Sequence, residues 1–461
     1  MKEYDVIVIG SGGGLKIALP AAAMGLKTAV IERDAVAGTC LNRGCIPSKM
    51  LIYPSEIPHR LREAQRIDVT SESGARVHFG ALIDRISRTV DGMSARQAAA
   101  LKETENLDFY PVHCEFISDR VLQAGEETLT AERIFVATGC RPQLPDIPGL
   151  QGTPFMTSKE ALRRTNLPRR LLVLGAGYIA VELGNAYAGV GTEVEFIVRS
   201  RFLRQEDREI SDEFARLFAQ QHCVRAGLTP TSVEYEAPQF TLHCQNGAGK
   251  TERIEGDALL VTTGVTPCTE SLGLDNTGIA TDDSGYIQVD GHLQTSVPGV
   301  YALGDCVGNY FFRHTVNYEG EYLVRSVLSG QAKDPIDYGP VPHAIFTTPE
   351  IAGVGLTEEE AQAAELDYIV GKASYDQSNA GLARGYEHGF AKLIIERPTE
   401  RILGAHILGD EASNMIHLFI AMMKMRGTLG DLLDMIFIHP ALPEIARDAA
   451  RNARDKLKGC G

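Results

Sequence analysis

Two stretches of the chain repeat one pattern: a β-branched strand, a glycine turn, a helix, then a second strand about twenty residues on. They span residues 6–32 and 171–199. Such a unit forms a parallel sheet with its crossover helix packed on one face, and its glycine turn lies at the carboxyl end of the first strand. A chain with two of them is organised around a duplicated nucleotide-binding module. At 461 residues it is also too long for one core, and three domains are expected.

In the first unit Gly10-Ser-Gly12-Gly-Gly14-Leu15 follows a strand and opens a helix. Gly10 permits the tight turn, Gly12 lets backbone approach a pyrophosphate, and the helix N-terminus offers unpaired N–H groups to phosphate. Glu32 ends the next strand, where it can accept from a ribose 2′-hydroxyl. These features point to FAD. Two departures stand out: Leu15 replaces the third glycine, so the helix is expected slightly further from the sheet, and Pro20 is expected to kink it.

In the second unit Gly175-Ala-Gly177-Tyr178-Ile179-Ala180 joins strand to helix, with alanine as an accepted third member. The following strand, residues 193–198, ends not in a carboxylate but in Arg199, with Arg201 and Arg204 just beyond. A guanidinium there can take a 2′-phosphate through paired hydrogen bonds, which favours NADPH over NADH. The alternative is three ordinary surface arginines.

Cys40 and Cys45 lie in Gly38-Thr39-Cys40-Leu-Asn-Arg-Gly-Cys45-Ile-Pro-Ser-Lys49. With Pro47 close behind, the pair is expected at the start of a helix, whose dipole favours the thiolate form that carries out disulfide exchange. Zinc is the rival, but ligation wants tighter spacing and a second pair, which does not follow. Nine cysteines scattered through the chain do not form a secreted disulfide framework. The N-terminus enters a strand-like run directly, without a leader pattern, and no run of eighteen apolar residues occurs, so a cytoplasmic protein is expected. A formal charge of −15 argues against nucleic acid or an anionic membrane as partner.

Taken with Ala137-Thr138-Gly139, Gly175-Ala-Gly-Tyr-Ile-Ala-Val-Glu182, Tyr301-Ala-Leu-Gly-Asp305 and His439-Pro-Ala-Leu-Pro-Glu444, the cysteine segment resembles the class I pyridine nucleotide–disulfide oxidoreductases. The resemblance runs over nearly the whole chain. It implies an α/β fold with two Rossmann-like dinucleotide-binding domains and a C-terminal α+β dimerisation domain. The expected segments are 1–149 and 271–339 for FAD, 150–270 for NAD(P)H, and 340–461 for the interface.

The same resemblance implies residue roles. Cys40 would be the interchange thiol and Cys45 the thiol against the flavin. Lys49 and Glu182 would form an ion pair beside the flavin, Tyr178 would cover the nicotinamide pocket, and Asp305 would hold the ribitol. Gly38, Thr39, Thr138, Gly139 and Gly264 would complete the cofactor sites. His439 and Glu444 would be an acid–base dyad reaching in from the second subunit of a homodimer.

For the substrate, Leu19 stands where glutathione reductases place an arginine. His314 and the segment ending at Glu444 look most like mycothione reductases. The reading is therefore an FAD enzyme that reduces a low-molecular-weight disulfide with NADPH, with Lys16 and Leu19 facing the substrate cleft. The alternatives are dihydrolipoamide dehydrogenase using NAD and, from another class, a non-catalytic flavoprotein scaffold. Mercuric reductases and high-molecular-weight thioredoxin reductases need a reactive pair in the tail, where this chain has Cys460 alone, in an expected loose end at 459–461. Ala37 and Val265 are further departures, standing where the family has glycine and often arginine.

Overall fold

The strand Lys2–Ile9 explains much of the first compact unit. Its residues Val6, Ile7, Val8 and Ile9 are all buried, so both faces of the strand are covered, and an unbroken apolar run is what such a position demands. A computed structural model describes every residue except Ser73, Ala332, Cys460 and Gly461. It divides into two compact units: one of Met1–Ser48, Ile83–Leu144 and Gly264–Tyr338, the other of Lys49–Leu82, Pro145–Thr263 and Gly339–Gly461.

In the first unit Lys2–Ile9 lies between Thr28–Ile31 and Glu127–Val136, all parallel, with Leu107–Tyr110 beyond Thr28–Ile31. Val300–Ala302 joins Glu127–Val136 in parallel, and Cys114–Ser118 with Val121–Ala124 add an antiparallel edge. The helix Phe79–Glu103 buries Ile83, Ile86, Val90 and Ser94, one stripe at helical spacing.

The expected loosening of the first crossover helix is not found. Close packing is made one residue earlier, at Gly14, where an added Cβ would fall 2.2 Å from the Gly10 carbonyl oxygen and 2.4 Å from a Val8 methyl. The helix Leu15–Ala23 begins directly after, and Pro20 lies three residues before its end.

Among the described residues, the second unit holds three sheets. A parallel sheet runs in the order Cys223–Ala226, Glu193–Val198, Arg170–Leu174, Ala258–Val261. An antiparallel sheet of Leu228–Glu236, Gln239–Asn246 and Thr251–Gly256 follows in the chain. The third is antiparallel, five-stranded, and runs Pro342–Ile345, Ile351–Gly355, Ile402–Leu408, Phe390–Glu396, Tyr368–Ser374. The helix Glu444–Gly459 lies on it through Ile445, Ala446, Ala449, Ala450 and Ala453. Gly371 lets the helix come close, since a Cβ there would meet the Ala449 carbonyl oxygen at 2.3 Å. Gly459 thus ends a helix rather than a loose tail, and Cys460 lies outside the described residues. No helix among the described residues is long and apolar enough to cross a membrane.

Candidate active site

Gly10 turns with φ +97, and a Cβ there would sit 2.4 Å from the Ala137 carbonyl oxygen, so only glycine fits. Beside it, the backbones of Gly12 and Gly38 face one another so closely that a Cβ on Gly38 would meet the Gly12 Cα at 2.8 Å. Glu32 turns back toward this loop. Its Oε2 accepts from the Ser11 N–H at 2.9 Å and the Ser11 hydroxyl at 2.7 Å, and its Oε1 accepts from the Asp34 N–H. The Ser11 hydroxyl in turn accepts from the Ala37 N–H, which ties the approach to the cysteines onto the same turn.

Asp305 sits in the short turn Gly304–Cys306 after the strand Val300–Ala302. Burial raises its carboxyl to about 6, and only the Arg313 guanidinium and its own backbone oppose this. Thr138 and Gly139 follow the strand Glu127–Val136, and the space around Gly139 is open where a Cβ would project. A glycine cradle, a carboxylate at the second strand end and an under-compensated, half-buried acid form a donor and acceptor set that fits a flavin dinucleotide.

Cys40 and Cys45 do not share one helix. Cys40 lies inside the short helix Gly38–Asn42, and Cys45 is the first residue of Cys45–Glu63. Ala37, in the left-handed conformation at φ 78, and Gly38 at φ +67 make the preceding bend. The two cysteines are not joined in a disulfide and hydrogen-bond one another. That bond, then burial, then the charge of Cys45 push the Cys40 thiol far up, while Arg313 pulls the other way. The contact and the burial thus favour the neutral form of Cys40. Cys45 is exposed at a helix N-terminus, which favours a thiolate.

In the second unit Lys49 Nζ meets Glu182 Oε2 at 2.7 Å and Oε1 at 3.0 Å. Glu182 also accepts from the Phe346 N–H at 3.0 Å, and Lys49 stands 4.3 Å from the Phe346 ring centre. Gly175, at φ +139, packs on Thr262, and the turn delivers Tyr178 and Ile179 to the start of the helix Tyr178–Gly189. Nothing crowds Gly177. Arg199 and Arg204 are exposed, and Arg201 instead donates to the Arg204 carbonyl at 2.9 Å. His439 Nδ1 lies 3.1 Å from both oxygens of Glu444, which leaves its exposed Nε2 edge facing outward. Glu444 is buried, which alone would raise its carboxyl. The Ala441 N–H, His439 and Arg447 bring it below the ordinary range.

Residues 4–321 match the pyridine nucleotide-disulphide oxidoreductase family, and residues 341–450 match that family's dimerisation domain.

The chain belongs to the pyridine nucleotide-disulphide oxidoreductases.

Among relatives of this family, the dihydrolipoyl dehydrogenase of Thermus scotoductus is 35% identical over 98% of the chain and 97% of its own length. The mycothione reductase of Mycobacterium tuberculosis is 32% identical over 98% of the chain and 100% of its own. A solved structure of the HOCl-induced flavoprotein disulfide reductase RclA from Escherichia coli superimposes with a TM-score of 0.86 at 29% identity, covering 97% of this chain and 99% of that one. The chain is thus an FAD-dependent disulfide oxidoreductase of a family that works with NAD(P)H. Its relatives act on several different substrates.

Some residues around these sites escaped sequence reading. Arg313, one residue before the noted His314, acts electrostatically on both Cys40 and Asp305. His314 itself is exposed and stacks on Phe312. Lys16, expected toward the substrate, pairs with Glu321 at 3.6 Å. Phe346 contributes a backbone N–H, which no side-chain motif can announce.

Proposed function

We propose that this oxidoreductase passes electrons from NADPH through FAD and the Cys40–Cys45 pair to a low-molecular-weight disulfide, working as a cytoplasmic homodimer. The observation that carries the reading is the hydrogen-bonded Cys40–Cys45 pair, whose contact and burial push the Cys40 thiol up. One thiol is kept for attack and the other is left to carry charge. When bound, the flavin supplies two-electron exchange between the nicotinamide and this pair.

The chain's residues do the rest. Cys40 gives its proton to His439 of the second subunit and attacks one sulfur of the bound disulfide; that S–S bond breaks as the Cys40–substrate bond forms. His439 of the second subunit, oriented by Glu444, protonates the departing thiolate. The Cys45 thiolate then attacks the Cys40 sulfur and releases the second thiolate, which takes its proton from solvent. Two electrons and two protons have gone to the substrate, and a Cys40–Cys45 disulfide remains. Lys49 and Glu182 would stand as an ion pair beside the flavin, Asp305 would hold its ribitol, and Gly175, Gly177, Tyr178 and Ile179 would take the nicotinamide nucleotide. The exposed Arg199 and Arg204 support NADPH, since both are available to a 2′-phosphate.

Anaerobic titration of the purified yellow protein with NADPH, and separately with NADH, tests this. Rapid reduction by NADPH is expected, with a long-wavelength thiolate–flavin band that is missing in Cys45→Ser. Reduction by NADH alone would promote the dihydrolipoamide dehydrogenase reading, which the relatives of that name support. Reduction by neither would return the scaffold reading.

A further inference from the structure

The second glycine turn stands beside a cluster centred on the buried Glu206, of which only Tyr178 has a role above. Tyr178, the first residue of the helix Tyr178–Gly189, donates its phenol to Glu206 Oε1 at 2.7 Å. The other carboxylate oxygen meets His343 Nε2 at 2.7 Å. The His343 and Tyr178 rings lie nearly parallel, 6.3 Å apart at 18°, so the three side chains close on one another. Glu206 is only 2% exposed. Burial would raise its carboxyl, but the His343 hydrogen bond and charge, with the Tyr178 hydroxyl, bring it below the ordinary range.

Glu206 is held from several sides. Leu203 adopts φ 46 and donates its N–H to the Ala176 carbonyl of the glycine turn, and the Glu206 N–H returns to the Leu203 carbonyl. The next residue, Asp207, caps the helix Arg208–Gln221 by accepting from the Glu209 N–H. Both of its oxygens also take Lys392 Nζ at 3.0 Å. Room for the His343 ring is made at Gly353, where a Cβ would fall 2.6 Å from the imidazole.

A charged carboxylate buried this deeply is costly to desolvate, and an apolar residue would fill the same space at less cost. The polar cluster therefore points to a need for position. Tyr178 stands where the dinucleotide crevice of such a unit begins, next to the open Gly177, and its ring is only partly buried. Without a partner its phenol could swing about two torsions. The segment that bears Arg199 and Arg204 continues directly into Glu206.

We propose that Glu206, braced by His343, is a positioning residue that clamps Tyr178 as a fixed wall of the dinucleotide crevice. The clamp rests on the reading of this unit as the nicotinamide nucleotide site. It joins the phosphate end of the site to its ring end through one short, pinned segment.

The test is calorimetric titration of the oxidised holoenzyme with NADP⁺ and with NAD⁺, using wild type, Glu206→Leu, Glu206→Gln, Tyr178→Phe and the Tyr178→Phe/Glu206→Leu double variant. Loss of one hydrogen bond to a charged group predicts about tenfold weaker binding of the preferred nucleotide for Glu206→Leu and for Tyr178→Phe. Glu206→Gln, which keeps an acceptor for the phenol, should stay within about twofold of wild type. The double variant should bind no more weakly than either single one, because Glu206 acts through Tyr178. Wild-type affinity in Glu206→Leu, or losses that multiply in the double variant, would overturn the clamp while leaving the nucleotide site intact. If wild type binds neither nucleotide, the reading of the unit fails and the clamp falls with it. Should Glu206→Leu not fold, His343→Leu takes its place in the same comparison.

Discussion

Lys49 and Glu182 are 133 residues apart in sequence and 2.7 Å apart in space. The pair joins the helix Cys45–Glu63 to the helix that opens after the second glycine turn. Glu182 is the buried member and also satisfies the Phe346 N–H, whereas Lys49 is half-exposed. Because of that exposure the charge attraction itself contributes little, and the satisfied N–H matters more. Glu182→Ala is expected to cost about 1–3 kcal/mol in urea denaturation. Lys49→Met, which leaves the Phe346 bond in place, should cost less.

In the proposed mechanism the His439–Glu444 contact serves one of two half-reactions. His439→Gln is expected to slow the thiol–disulfide half by about 100-fold or more, the usual contribution of a general acid. Reduction by the nicotinamide nucleotide should keep its wild-type rate. Glu444→Gln should show the same pattern, and stopped-flow measurement of each half separately checks both. Equal slowing of the two halves would remove the dyad from the mechanism.

His222 is a built-in acid sensitivity. Its ring lies 4.2 Å from Phe218 and 5.6 Å from Phe196, and burial, with the nearby His59 charge, lowers its pKa to about 4. The unfolded chain takes up a proton near pH 6.5, but the folded chain refuses it until about 4. The contribution is therefore complete above 6.5 and is lost as pH falls through that window. Between pH 7 and pH 5, wild type should lose about 2 kcal/mol more than His222→Gln in urea denaturation. Equal losses would place the ring in a wetter site.

Lys392 is 1% exposed and faces Asp207 at 3.0 Å and Glu358 at 2.5 Å. Lys392→Met leaves the buried Asp207 carboxylate without its cation and should cost about 3–5 kcal/mol. Adding Asp207→Asn removes the stranded charge and should recover part of the loss. Additive losses in the double variant would contradict this pairing.

Local chemistry explains what could be read before folding. The strand at 193–198 stands where hydrophobic period and turn residues put it. Cys40 and Cys45 were legible as a pair, but not their division between two helices, because Ala37 takes a left-handed conformation that alanine does not advertise. The close packing of the first crossover helix was misassigned to Leu15. Which residue of a glycine run touches the strand depends on where the helix starts, and it starts one residue after Gly14.

The sequence by itself determined the two glycine-turn units and the closely spaced cysteine pair. A glycine at φ +97 or +139, or two cysteines on one short segment, is a requirement met within a few residues of chain. Only the tertiary structure decided which charges are buried together. Tyr178 with Glu206 and His343, Lys49 with Glu182, and Lys392 with Asp207 each join segments far apart in the chain. Whether a glutamate or lysine can be taken out of water depends on the partner that meets it there. No spacing in the sequence records that meeting.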